Sequence, residues 1–343
     1  MQFATGSALG SLLPACQRTP KEQRDRLLAD LVEEQIVPDT RALLTKSKKL
    51  ESSLADLVRN SGQTTLLSAR AAFRATLLAW EAAACFKGGP ILATGSLLRA
   101  MFWPTKTSAL DALIRSRAPF DRLNELAVDQ KGLFAIEHLL FPLEDRETGA
   151  EIALISADGE RVRWLMCGLA RLVRESAQLT CDTLGDGAAL RVSLQRGEHE
   201  SIKLLLNNIG SSVSSVITDP GAVLRNEIEK VPTEVRGGPS RLAFAITESR
   251  IAAAQRLYSG ESDGSLASLV KRNAPEVHDQ VASDFARALK QVRALPEDVA
   301  PDRAPAPARL AAAAAVHALE AVVKSDLATA LGVPLLFGLP HED

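Results

Sequence analysis

Apolar residues recur at intervals of three and four positions along most of the chain, for example at Leu27, Leu28, Leu31 and Ile36. Such spacing places the apolar side chains on one face of an α-helix. We find no convincing run of the alternating pattern that is typical of a β-strand. The pattern predicts amphipathic helices at about 20–60 (bent near Pro38), 63–87, 94–117, 120–141, 158–184, 198–218, 240–258, 264–294 and 306–330. The predicted fold class is therefore all-α.

Glycine and proline interrupt the helical pattern in four places: residues 87–90, 142–159, 185–187 and 237–239. Amphipathic helices have to bury their apolar stripes against one another. The simplest arrangement is two helical bundles packed side by side. We expect an N-terminal bundle over residues 25–185 and a C-terminal bundle over residues 198–343.

The N-terminal segment, residues 1–24, has the features of an export signal. Its apolar run, Phe3–Ala15, is shorter than the ~20 residues that a membrane-spanning helix needs. The run ends in Leu-Leu-Pro-Ala-Cys16, which resembles a bacterial lipobox, and a polar tether follows. Residues 1–13 contain no Lys or Arg, which a signal peptide normally has. Either the start of the signal is truncated or the segment is an ordinary frayed terminus. We predict a periplasmic or cell-envelope lipoprotein that contacts the membrane only through a lipid anchor at Cys16.

Composition and motifs exclude several classes of function. Lys+Arg number 40 and Asp+Glu number 42, a net charge of −2, so no global positive field favours nucleic acid as a partner. The chain contains no CxxC, HExxH or GxxxxGK[ST] motif. Zinc ribbons, ordinary zinc proteases and phosphate-binding loops are therefore not predicted.

Glu137 is the most informative polar residue, because the residues around it, from Gly132 to Phe141, are almost all apolar. A buried carboxylate is costly unless it meets a cation, a metal or several hydrogen-bond donors. The partner could be a ligand, backbone amides, or an arginine such as Arg74 or Arg163. His138 follows directly but lies about 100° away around the helix.

The segment Gly132-Leu-Phe-Ala-Ile-Glu137 resembles the GxHxxE motif of the imelysin-like family of bacterial envelope proteins. Further stretches are similar to family segments in the same order: 71–80 with the FxxGP turn at 86–90, then 161–172, and a closing LGVxxGF-like segment at 327–338. The resemblance implies an imelysin-like fold and a link to iron or metal uptake. Its implied partner is iron or another divalent metal, a ferric complex or other small ligand, or an envelope protein. It also implies ligand-facing roles for Asn207 and Asn208.

The chain departs from the motif at one position: Phe134 stands where the family has histidine. A phenyl ring neither ligates a metal nor carries a proton. We therefore expect a non-catalytic binding protein with a cleft near Glu137, and with Glu137 and His138 as its candidate metal ligands. The alternatives are a metallopeptidase of the imelysin type, or a scaffold or interaction module whose metal site has decayed.

Overall fold

The computed structural model describes residues 20–86, 94–116, 123–141, 159–196, 201–224, 235–260, 265–296 and 300–332. Cys16 and its lipobox lie outside these residues. So do the Gly-Gly-Pro part of the predicted FxxGP turn and residues 333–338 of the closing segment.

Every regular element in the described ranges is helical, which confirms the all-α prediction. The α-helices are α1 (Pro20–Leu31), α2 (Val37–Arg59), α3 (Gln63–Ala83), α4 (Ser96–Met101), α5 (Thr107–Ser116), α6 (Leu133–Leu140), α7 (Gly159–Asp182), α8 (Ala189–Gln195), α9 (Ser201–Thr218), α10 (Ala243–Ser259), α11 (Leu266–Asn273), α12 (Pro275–Arg293), α13 (Ala306–Val322) and α14 (Ala328–Ala330). Turns of π-helix join α1 to α2 at Val32–Ile36 and α13 to α14 at Val323–Leu327.

Three predicted helices are shorter or more interrupted than the periodicity indicated. The segment 94–117 contains α4 and α5, which are separated around Pro104, and the segment 264–294 is divided into α11 and α12 before Pro275. In both cases proline lacks the amide hydrogen that a continuous helix would use. In the described part of the segment 120–141, residues 123–141, the α-helix covers Leu133–Leu140, and 3₁₀ turns precede it at Leu123–Glu125 and Val128–Gln130.

The buried apolar side chains form two cores. The first, which we call the N-terminal core, is built from α2, α3, α4, α6 and α7 and includes Phe73 and Trp80. The second, the C-terminal core, is built mainly from α9 to α13, and α1 and the first π turn pack into it. The division into bundles at residues 185–198 stays a prediction, and the packing adds that the first described helix joins the core of the C-terminal half.

The two cores meet where α10 lies against α3. Leu242 and Ile246, at the start of α10, are buried in the N-terminal core. One turn further on, the Ser249 hydroxyl donates a hydrogen bond to the Leu78 carbonyl oxygen of α3, at 2.9 Å. Charged side chains that follow on both helices are described below, because they form the floor of a cavity.

One described helical stretch, Ala306–Ala330, is long and apolar enough to cross a membrane by length and composition alone. The core helix of a soluble protein passes the same test. In the structure its Val316 and Leu319 are buried in the C-terminal core, and α13 packs against α9 and α12.

Gly132, at the start of α6, is a position that only glycine satisfies. Its φ of 88° and ψ of −168° lie in a region that other residues essentially do not occupy. A Cβ there would lie 2.7 Å from the Ala100 carbonyl oxygen of α4. The motif glycine therefore allows α6 to begin directly against α4.

We expect Gly132→Ala to lower the free energy of unfolding by at least about 3 kcal/mol, from the backbone conformation and the clash together. Gly187→Ala is the matched control, because Gly187 also has a positive φ, 75°, but a Cβ added there would meet no atom within 4 Å. The control should lose only about 1–2 kcal/mol. Urea denaturation of both variants measures the difference, and equal losses would contradict a steric constraint at Ala100.

Candidate functional site

Glu137 lies inside the protein, on α6, and is 3% exposed. Its Oε1 accepts hydrogen bonds from the Ser240 backbone N–H, at 3.0 Å, and from the Ser240 hydroxyl. Of the partners considered from the sequence, a backbone amide is therefore the one found here, while Arg163 donates to the Ser61 hydroxyl instead. Glu137 fastens α6 to the turn that precedes α10.

Burial raises the pKa of Glu137 to about 7, although the hydrogen bonds from Ser240 favour the ionised form. The carboxyl group is therefore partly protonated near neutral pH. A carboxyl group that can be neutral costs less free energy to bury than a permanent anion would.

His138 faces a different neighbour. Its Nε2 lies 3.0 Å from Oδ1 of Asp111 on α5, and its side chain is about one third exposed. The two consecutive candidate ligands therefore have separate partners. Among the described residues, no group of three or more His, Cys, Asp or Glu side chains is placed to hold a metal ion.

Phe134, at the motif position where the family has histidine, supports a cation. The guanidinium carbon of Arg236 lies 5.5 Å from the centre of its ring and 6.0 Å from the centre of the Trp103 ring. Such cation–π contacts stabilise a guanidinium by about 0.5–2 kcal/mol. A fixed positive charge at this point repels a divalent ion, so the residues present do not fit a resident metal at the motif.

Arg236 belongs to a cluster of four charges that we call the interface cluster: Glu81, Asp219, Arg236 and Arg250. Arg250 Nε lies 2.7 Å from Glu81 Oε2, and its Nη1 lies 2.9 Å from Asp219 Oδ2. Arg236 is held more loosely, with Nη1 3.7 Å from Glu81 Oε1 and Nη2 3.9 Å from Asp219 Oδ2. The cluster joins α3, the end of α9, the 236–242 turn and α10.

Burial affects the two arginines differently. Desolvation lowers the pKa of Arg236 despite the nearby Glu81 carboxylate. Desolvation also acts on Arg250, but the close Glu81 and Asp219 carboxylates outweigh it and raise the pKa of Arg250. Arg250 is thus firmly paired, whereas Arg236 is desolvated without an equally close counter-ion.

A cavity of about 290 Å³ opens over the interface cluster. It lies between the two cores, and besides the cluster its lining comprises Ala84, Cys85, Leu97, Leu98, Met101, Phe102, Trp103, Ser212 and Ser215. Its size is near the lower end for small-molecule sites, about 300 Å³. It has a charged floor and, along α4, an apolar wall.

The described lining of this cavity includes none of the predicted binding residues Glu137, His138, Asn207 and Asn208. Glu137 anchors the turn that carries Arg236. Asn207 and Asn208 are on α9, and Asn208 is 4% exposed, one turn before Ser212. The interface cluster was not predicted from the sequence. Glu81 is a single carboxylate in the apolar stretch Leu77–Phe86, and the same feature identified Glu137.

The fold and the site define an all-α protein of two helical bundles with a cavity between them. The chain belongs to the imelysin (peptidase M75) family, whose family model matches residues 36–325.

Individual relatives are distant in sequence and close in fold. Iron-regulated protein A of Synechococcus elongatus is 24% identical over 343 residues, covering 92% of this chain and 88% of that protein. A crystal structure assigned to an iron-regulated protein A precursor from Parabacteroides distasonis ATCC 8503 has a TM-score of 0.72 and 19% identity, covering 91% of this chain and 97% of that one. The crystal structure of an imelysin-like protein from Psychrobacter arcticum 273-4 has a TM-score of 0.71 and 16% identity, covering 93% and 99%.

Glu137→Gln should change how stability depends on pH. The pKa of Glu137 is about 7 in the folded protein against an ordinary value of 4.5, so its contribution to stability is lost as the pH rises from 4.5 through 7. Glutamine accepts the Ser240 bonds without titrating. We expect the stability of the variant relative to the wild type to rise by about 3 kcal/mol between pH 4.5 and 8. Urea denaturation at both pH values measures it, and a constant difference would contradict the raised pKa.

Glu81→Gln should destabilise the protein by about 3–5 kcal/mol, because it leaves the buried Arg250 with half its counter-charge. Asp56→Asn is the matched control. It breaks an exposed ion pair with Arg59 and should lose at most about 1 kcal/mol. Thermal and urea unfolding compare the two, and a loss for Glu81→Gln no larger than the control's would show that the interface cluster does not hold the bundles together.

Proposed function

We propose that this chain is an exported, iron-linked binding protein of the bacterial envelope that holds a small ligand in the cavity between its bundles. The observation that carries the proposal is the cavity itself, a space of about 290 Å³ with a charged floor and an apolar wall. Convergent polar groups in an otherwise apolar pocket are typical of a ligand site.

The lining favours binding over catalysis. Its two serines donate hydrogen bonds to carbonyl oxygens: Ser212 to Cys85 at 3.4 Å and Ser215 to Ser212 at 2.9 Å. A nucleophile needs a base within hydrogen-bond reach, and no histidine is among the described residues of the lining. The carboxylates of the floor are paired with arginines, which is suited to a fixed recognition surface.

The link to iron is supported by the names of the relatives, two of which are iron-regulated protein A or its precursor. We propose that this link to iron does not depend on an ion held by Glu137 and His138, and that the cavity holds an organic ligand. The envelope location is supported by the lipobox-like sequence, with Cys16 as the lipidated residue. In this proposal Glu137 positions Arg236 through the 236–242 turn, and Asn207 and Asn208 remain predicted ligand-facing residues beside the cavity.

A thermal-shift and calorimetric panel tests the binding function. The probes are ferrous, ferric and zinc ions, ferric citrate, citrate, ethanolamine, leucine and glucose. We expect at least one organic probe to raise the melting temperature and the free metal ions to give no heat above buffer. Mass spectrometry of the N-terminus from a membrane fraction tests lipidation at Cys16.

Leu98→Glu and Leu67→Glu are a matched pair for the panel. Both leucines are on helices and more than half exposed, at 61% and 52%, but only Leu98 lines the cavity. A true cavity ligand should bind at least tenfold more weakly to Leu98→Glu and unchanged to Leu67→Glu. Absence of any binding would favour the decayed scaffold, and peptide cleavage abolished by chelator and by Glu137→Ala would favour the metallopeptidase.

A further inference from the structure

Both signs of charge reach the cavity. The Asp219 side chain is 32% exposed and that of Arg236 is 19% exposed, whereas Glu81, at 1%, is sealed beneath them. The two carboxylates and two guanidinium groups of the interface cluster sum to no net charge. A ligand with a net charge would bring an uncompensated charge into a confined space, whereas a zwitterion would not.

Among the described residues, no carboxylate lies within hydrogen-bond distance of the Arg236 guanidinium. Its nearest carboxylate contacts, at 3.7 and 3.9 Å, are longer than hydrogen bonds. Its enclosed Nε has no hydrogen-bond partner within the described residues, so a ligand in the cavity would contact the guanidinium through its Nη atoms. Buried polar groups are nearly always hydrogen-bonded, and a guanidinium matches the geometry of a carboxylate. A ligand with a hydrogen-bond acceptor, such as a carboxylate, would therefore complete the hydrogen bonding of Arg236.

Asp219 offers the complementary group. Its Oδ2 forms the ion pairs with both arginines, so Oδ1 of this partly exposed carboxylate is available to a donor. The Arg236 guanidinium and the Asp219 carboxylate are within 3.9 Å of each other. An ammonium and a carboxylate on the same carbon atom could reach both of them at once.

The remaining wall is apolar. Leu97, Leu98, Met101, Phe102 and Trp103 line it on and just after α4. A hydrocarbon side chain placed against this wall would be stabilised by its removal from water.

We propose that the cavity binds a small α-amino acid with an apolar side chain, its carboxylate on Arg236, its ammonium on Asp219 and its side chain against α4. This inference rests on the proposed function, because it specifies the ligand of the same cavity.

Isothermal titration of the full chain with L-leucine, leucinamide and N-acetyl-leucine tests the inference. Leucinamide keeps the ammonium without the carboxylate, and N-acetyl-leucine keeps the carboxylate without the ammonium. We expect leucine to bind on the order of 10- to 100-fold more tightly than either analogue, because each lacks one charged hydrogen-bonding group. Equal affinity of leucine and either analogue, or no binding of leucine, would overturn the inference.

Asp219→Asn separates specific recognition from general damage. It should weaken leucine at least tenfold and strengthen N-acetyl-leucine, because the repulsion between two carboxylates disappears. A general loss of structure would weaken both ligands, and that result, like an unchanged preference, would count against the role of Asp219. Leu67→Glu serves as the control and should bind like the wild type. If leucine fails while ferric citrate or another probe binds in a manner sensitive to Leu98→Glu, the ligand assignment is wrong and the binding function stands.

Discussion

The pairing of Arg250 with Glu81 and Asp219 is the interaction on which the relation between the two bundles depends. Moving one such charge out of water is costly, and only close counter-charges offset it. The three residues come from α3, the end of α9 and α10, so the charges are satisfied only when these helices meet in one arrangement. The apolar cores make association of the helices favourable, and the buried charges restrict how they associate. A cavity can persist at this junction because its floor is fixed by charge pairing rather than by close packing.

Glu137 contributes to the same junction from a different direction. Its bonds to Ser240 hold the turn that leads from Arg236 into α10 against α6. The motif carboxylate, which was predicted from the sequence as a metal ligand, is therefore bonded to the turn that carries the Arg236 guanidinium. Glu137 does not line the cavity. Its Oε1 is bonded to Ser240, so Glu137 contributes by holding the turn in place.

Local physics explains which features could be predicted. Helical periodicity depends on neighbouring residues, so helices such as α7, α9 and α10 were predicted to within a few positions, and the all-α class followed. The helix breaks at Pro104 and Pro275 were not predicted, although both prolines are in the sequence, because the apolar pattern continues across them.

The burial of Glu137 was predicted from its apolar neighbours, because the cost of an isolated carboxylate depends on its surroundings. Its partner Ser240 is 103 residues away, and no local pattern connects the two. Arg236 was missed for the same reason: its position depends on the packing of α6 against a distant turn.

Phe134 and Arg236 are best understood as a pair. An imidazole at residue 134 next to Glu137 would favour a cation between them, while a guanidinium directly above would compete for that place. With a phenyl ring, the same space holds the guanidinium itself, bound by the ring face and by long contacts to Glu81 and Asp219. The positive charge is then part of the protein, and it is directed toward a cavity instead of being enclosed by ligands. In this protein the junction therefore holds a fixed cation over Phe134, and in the proposed function this cation faces the ligand of the cavity.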